Sequence, residues 1–148
     1  MPTNLYGPGD NFDLASSHVI PALIRKAHEA KQSGARFMTI WGSGTPRREF
    51  LHVDDCASAL VFLLKHYSGD GHINVGSGTD ITIDALARLI MNVVGFDGSL
   101  EHDTTKPDGT PRKLMSNRKL AEMGWTPGIS LESGLKATYQ WFLDNRIA

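Results

Sequence analysis

The run REFLHVDDCASALVFLLKH, residues 48–66, changes periodicity partway along. Arg48–Val53 packs Phe50, Leu51 and Val53 into six residues, which reads as a strand. Asp54 or Asp55 then offers a cap, and Ala57, Leu60, Val61 and Leu64 recur at helical spacing, predicting a helix that buries that stripe. A strand feeding directly into an amphipathic helix is half of an α/β unit.

The same alternation extends both ways. MPTNLYGPGDNF (1–12) reads as the end of a strand breaking into a Gly/Pro turn. In SHVIPALIRKAHEAKQSG (17–34), Ile20, Leu23, Ile24 and Ala27 share a helical face and Gly34 supplies a stop. Pro21 is tolerated only in a first turn, so this helix must begin at about His18. FMTIWGSG (37–44) is a short β run ending in a turn, and HINVG (72–76) reads as another strand. Thr82 caps IDALARLIMNVVG (83–95), whose Ile83, Leu86, Ala87, Ile90 and Val94 face one way and whose Gly95 ends it. SLEHD (99–103) suits an edge strand, and SNRKLAEMGW (116–125) one or two helical turns. Ser130 caps a last helix, 131–145, with Leu131, Leu135, Thr138 and Phe142 inward. The helices carry strong apolar faces, while the strands are few, short and separated. That imbalance leads us to expect that Met1 is an internal residue of a larger enzyme.

Composition narrows the field. The chain has 148 residues, 41% of them hydrophobic, enough for a core. With 15 basic against 16 acidic residues and no basic run, nucleic acid is not an expected partner. No apolar stretch reaches the length of a membrane span. A single cysteine, Cys56, precludes an intrachain disulfide, suits a reducing cytoplasm, and falls where it reads as packing. The histidines lack zinc-ligand spacing.

Four stretches have residues suited to chemistry, each also explicable as plain structure. Backbone groups of PTNLYGPG can approach a planar ligand closely, or simply turn. His18 stands where its helix starts, as a proton acceptor or a cap; Lys26 lies about 12 Å further along that helix, for the far end of an elongated ligand or for solvent. In WGSGTPRREFLHVDD (41–55), Trp41 offers a stacking face beside Arg47 and Arg48, which suit bidentate phosphate recognition. In TKPDGTPRKL (105–114), Lys106, Arg112 and Lys113 surround a Pro-Asp-Gly turn whose Asp108 can accept from a base edge or a ribose hydroxyl. GSGT occurs twice, at 42–45 and 76–79, as a phosphate cradle or a simple turn, without matching a nucleotide-binding fingerprint.

In this order and at this spacing, MPTNLYGPGDNF, SHVIPALIRK, WGSGTPRREFLHVDD, INVGSG and KPDGTPRK resemble the C-terminal half of the GDP-L-fucose synthase family, within the extended short-chain dehydrogenase/reductases. PxNxYGP and REFLHVDD occur more widely among nucleotide-sugar enzymes; SHVIPAL and KPDGTPRK point to the fucose synthases. The resemblance covers essentially the whole chain. It implies an α/β fold in which residues 1–148 are the sugar-nucleotide-binding portion, with most of the Rossmann core missing. It further implies conversion of GDP-4-keto-6-deoxy-D-mannose to GDP-L-fucose, by epimerisation at C3 and C5 and reduction of C4 with NADPH.

His18 then corresponds to the family's acid/base histidine, and Pro2, Thr3, Asn4 and Leu5, with His18, to the nicotinamide end of the NADP site. Lys26, Trp41, Arg48 and Asp108 match positions that hold the GDP-sugar, and Lys113 is added to them. The glycine-rich fingerprint, the catalytic Ser and Tyr-x-x-x-Lys, and the epimerisation cysteine precede this stretch in the family; Cys56 does not match that cysteine. The expected partners are thus the GDP-sugar and an N-terminal NADP-binding half, in a cytoplasmic homodimer whose 148-residue piece is inactive alone. Another nucleotide-sugar epimerase or dehydratase, or a non-catalytic nucleotide-binding module, is the alternative.

Overall fold

The structure, a computed structural model, describes residues 1–145. Its strands are β1 (Asn4–Tyr6), β2 (Phe37–Trp41), β3 (Arg47–His52), β4 (Asp80–Thr82), β5 (Ser99–Asp103) and β6 (Arg112–Lys113). Its helices are α1 (Val19–Gln32), α2 (Val53–His66), α3 (Ile83–Val94), α4 (Arg118–Glu122) and α5 (Leu131–Asp144). The chain is α/β, as its alternation predicts. β3 is the hub: it pairs in parallel with β1 and β6 and antiparallel with β4, while β2 and β5 form a separate parallel pair.

Successive side chains on a strand point to opposite faces, and here each face has its own core. Tyr6 and Phe50 join one with Leu23, Ile24, Leu86, Ile90 and Leu135, from α1, α3 and α5. Leu51, on the other face, packs with Cys56, Ala59, Val75, Leu120 and Trp125. α1, α3 and α5 match their expected faces. Pro21 falls in the first turn of α1, Thr82 Oγ1 caps α3 by accepting the Ala85 N–H at 3.1 Å, and Gly95 closes it.

α2 departs from its expected face. Asp55, Cys56 and Ala59 are buried, whereas Leu60, Val61 and Leu64 are 59%, 52% and 86% exposed. Its sequence is apolar on two sides, so spacing alone fits either face, and contact with Leu51 and Val75 selects the one carrying Cys56. The cap differs as well. His52 is the N-cap, its Nδ1 accepting the Asp54 N–H at 3.3 Å. Asp55 instead reaches across the molecule, taking the N–H of Gly128 at 3.0 Å and of Ile129 at 2.9 Å. HINVG forms no full strand: Val75 makes a single parallel bridge to Pro2, bonded to Met1 O and Thr3 N. Among the described residues no helix is long and apolar enough to cross a membrane.

Candidate functional site

Two neighbouring hollows share β1 as a wall. The first, of about 250 Å³, is bounded by Asn4, Trp41, Pro46, Arg48, Pro107 and Asp108. Three separate segments therefore converge there: the end of β2, the start of β3 and the Pro-Asp-Gly loop after β5. Trp41 is 67% exposed, an unusual position for an indole in a chain with a packed core. The ammonium groups of Lys26 and Lys106 lie over its ring, 5.5 and 5.7 Å from the centroid. Lys26 also donates to Thr39 O at 3.3 Å, and burial holds its pKa below that of an ordinary lysine. Arg48 Nη1 donates to Arg47 O at 2.8 Å and Thr110 O at 2.6 Å, fixing the guanidinium against the loop. Lys113 is on β6, in register with Arg48 but outside the lining of the hollow.

Asp108 is held rather than loose. One carboxylate oxygen accepts the Ser43 N–H at 2.9 Å and the other the Ser43 hydroxyl at 2.6 Å. The hydroxyl bond, then the backbone bond, keeps its carboxyl below the usual range. A Cβ on Gly42, whose φ is +75°, would sit 2.2 Å from that carboxylate, so only glycine fits the turn. The second GSGT turn does the same for Glu49, whose carboxylate accepts the Gly78 N–H at 2.7 Å. Both turns do cradle an anion, and in each case it is a carboxylate of the chain itself.

The second hollow, of about 260 Å³, is lined by Leu5, Gly7, Pro8, Gly9, His18 and Val53, among others. His18 is the N-cap of α1, but its side chain makes no capping bond and is exposed toward this hollow. Pro2 and Thr3 lie off both linings. Pro2 bridges to Val75, and Thr3 donates to Glu49 O at 3.3 Å, beside Asn4 Nδ2 on the same carbonyl at 2.8 Å. Tyr6 closes the floor, its hydroxyl pushed up to about 12 by burial and, secondarily, by Asp55. Cys56 is buried in the other core, which raises its thiol pKa.

Three residues at this site escape the sequence reading. Ser43 looks like a turn residue; its partner is 65 positions away. Asp80 bridges Arg47 and Arg112 at 2.9 and 2.5 Å, fastening β6 to β3 and β4. Glu49 is fully buried without a cationic partner among the described residues. The one available clue to it is a carboxylate inside an apolar β run.

The NAD dependent epimerase/dehydratase family matches residues 1–76, just over half of the chain. The chain is 61% identical over 145 residues to "GDP-L-fucose synthase 1" of Arabidopsis thaliana, covering 98% of this chain and 45% of that protein. It is 52% identical over 155 residues to the GDP-L-fucose synthase of Escherichia coli K12, covering 99% and 48%. Among solved structures it is similar to a GDP-L-fucose synthetase from Naegleria fowleri bound to NADP, at 35% identity and a TM-score of 0.92, over 98% of this chain and 46% of that one. The chain thus spans about half the length of the relatives it matches.

Proposed function

The chain belongs to the NAD dependent epimerase/dehydratase family, and we propose that it forms the sugar-nucleotide-binding, C-terminal half of a GDP-L-fucose synthase. The observation that carries this reading is the convergence of Trp41, Arg48 and Asp108, from three segments, on one hollow beside β1. The reaction is conversion of GDP-4-keto-6-deoxy-D-mannose to GDP-L-fucose. Trp41 supplies the stacking face for the guanine base. The donors of Arg48 not bound to Arg47 and Thr110, with Lys26 and Lys113, hold the diphosphate. Asp108 spends two acceptor positions on Ser43; a carboxylate has about four, so the rest remain for base N–H or ribose hydroxyl groups.

His18 is the acid/base group. Protons on carbons flanking a ketone are acidified, and an imidazole beside the bound sugar can remove or return one. The second hollow fits the nicotinamide end of NADP, being ring-sized and walled by Leu5, Pro8 and the glycine turn. A nicotinamide held there would supply the hydride for C4. Leu5 and His18 line that hollow and orient that end, while Pro2, Thr3 and Asn4 act behind them by fixing the strand to Val75 and Glu49. No strand–glycine-rich turn–helix unit of the kind that holds a pyrophosphate occurs among the described residues.

That unit belongs to the complementary half. We place its docking surface on the exposed stripe of α2, Leu60, Val61 and Leu64, and on the open edge of β1. An uncovered apolar helix face and a free strand edge each call for cover. The complete protein is read as a cytoplasmic homodimer.

Two measurements test the reading. The complete enzyme, given GDP-4-keto-6-deoxy-D-mannose and NADPH, should yield GDP-L-fucose by NMR. The 148-residue chain should bind GDP, with Arg48→Ala weakening it about ten- to a hundredfold and Trp41→Ala weakening it with little salt dependence. Absence of GDP binding, or indifference to both substitutions, would reject the site.

A further inference from the structure

We infer that Glu49 is a positioning residue for sugar-nucleotide binding, an internal anion that fixes the cationic segment 106–113 against β3. The inference rests on the proposed GDP-sugar site. Glu49 is fully buried between Arg48 and Phe50 in sequence, with its side chain on the face opposite Arg48. One carboxylate oxygen accepts the N–H of Gly78 at 2.7 Å; the other accepts the N–H of Met115 at 3.1 Å. A buried carboxylate without a cation is costly unless such donors satisfy it, so the sequence retains a charge where an apolar residue would pack more simply.

The two N–H groups show what that charge does. Met115 lies just beyond β6, so the bond secures the exit of the cationic loop. Its entry is secured by Asp108 on Ser43, and its middle by Arg48 on Thr110. Gly78 leads into β4, whose Asp80 ties Arg47 to Arg112. Glu49 therefore joins, through one side chain, the two segments flanking the cationic strand. The fit is close: a Cβ on Gly76 would lie 2.4 Å from its Oε1, so the turn approaches the carboxylate to a distance that excludes any other residue. The main-chain carbonyl of Glu49 takes Thr3 and Asn4, a bond that side-chain substitution leaves in place.

Glu49→Gln tests this. A carboxamide has one acceptor oxygen and sets an N–H₂ against the other backbone donor, so one segment must come free. We expect the Gln variant of the 148-residue chain to remain folded by circular dichroism and to bind GDP about tenfold more weakly, followed by Trp41 fluorescence. In the same variant the amide of Met115 or Gly78 should exchange with D₂O at least tenfold faster, while amides within α3 keep their rates. In the complete enzyme KM for the GDP-sugar should rise, with kcat and NADPH affinity unchanged. Met115→Pro deletes one donor without touching the carboxylate and should reproduce the GDP effect; it carries the test if Glu49→Gln fails to fold. GDP affinity within twofold of the parent in both variants overturns the inference. A parent chain that does not bind GDP rejects the proposed function instead. The exchange measurement then still decides the anchoring, which unchanged rates at both amides would overturn.

Discussion

Asp55 joins the start of α2 to the segment entering α5, and its removal is expected to be costly. Its two oxygens accept the N–H groups of Gly128 and Ile129 at 3.0 and 2.9 Å, with the residue only 7% exposed. Hydrogen bonds to a charged group contribute about 1.5–3 kcal/mol each. Gly128 is exposed and Ile129 only half-buried, so water replaces part of each bond and the lower figure applies to both. Asp55→Ala should therefore lose about 3 kcal/mol, including a few tenths for an anion in the first helical turn. Asp55→Asn keeps one acceptor and should lose about half as much. Urea denaturation followed by far-ultraviolet circular dichroism measures both, as shifts in midpoint at constant slope. In thermal melts about 3 kcal/mol corresponds to roughly 6–12 °C for a chain of this size. Loss of under 0.5 kcal/mol in Asp55→Ala would show that these bonds exchange freely for water and would refute the reasoning.

Other outcomes follow from the same structure. Asp80 is held below the usual carboxyl range by Arg47 and Arg112, and Asp84 by Arg88 and, less strongly, His102. Their folded pKa values lie below the unfolded ones, so their stabilisation is complete above about pH 4 and disappears as pH falls through the folded values. Urea midpoints should be insensitive to this term from neutral pH to about 4 and fall below it; Asp80→Asn should flatten the acid limb. Leu64→Glu, on the exposed stripe of α2, should leave the urea midpoint within about 0.5 kcal/mol while reducing the fluorescence of a dye that binds apolar surface; unfolding by this substitution would mean the face is already packed. In the complete enzyme, His18→Gln should slow solvent deuterium entry at C3 or C5 by about 10²–10⁴-fold, read by NMR in D₂O, and unchanged uptake would reduce His18 to a helix start.

What the sequence discloses depends on how far apart the partners are. α1, α3 and α5 are legible because each has one apolar face, punctuated by Pro21, Thr82, Gly95 or Ser130. α2 has two apolar sides, and the choice between them depends on Leu51 and Val75, which spacing within the helix does not report. β4 and β6 contain three and two residues, too few for a period, and exist because β3 has edges to offer them. Trp41, Arg48 and Asp108 stand out by residue type, and their resemblance to a known family places them at one site. Ser43 and Glu49 do not stand out, since their partners are more than twenty positions away: the Asp108 carboxylate for one, the N–H groups of Gly78 and Met115 for the other. Asp54 and Asp55 look like equivalent caps; the fold gives the cap to His52 and sends Asp55 elsewhere.

The indole of Trp41, with the ammonium groups of Lys26 and Lys106 over its ring, has a kinetic consequence. The chain's net charge is −1, yet these two cations and Arg48 gather at one opening whose lining includes a single carboxylate, that of Asp108, so the local field there is positive. A doubly charged anion entering solution nearby feels that field before it touches any atom, over about 8 Å at physiological ionic strength, and is turned toward the opening as it diffuses. Salt should then act chiefly on arrival: the bimolecular rate constant falls as ionic strength rises, while the lifetime of the bound state, set by contacts within the hollow, changes far less.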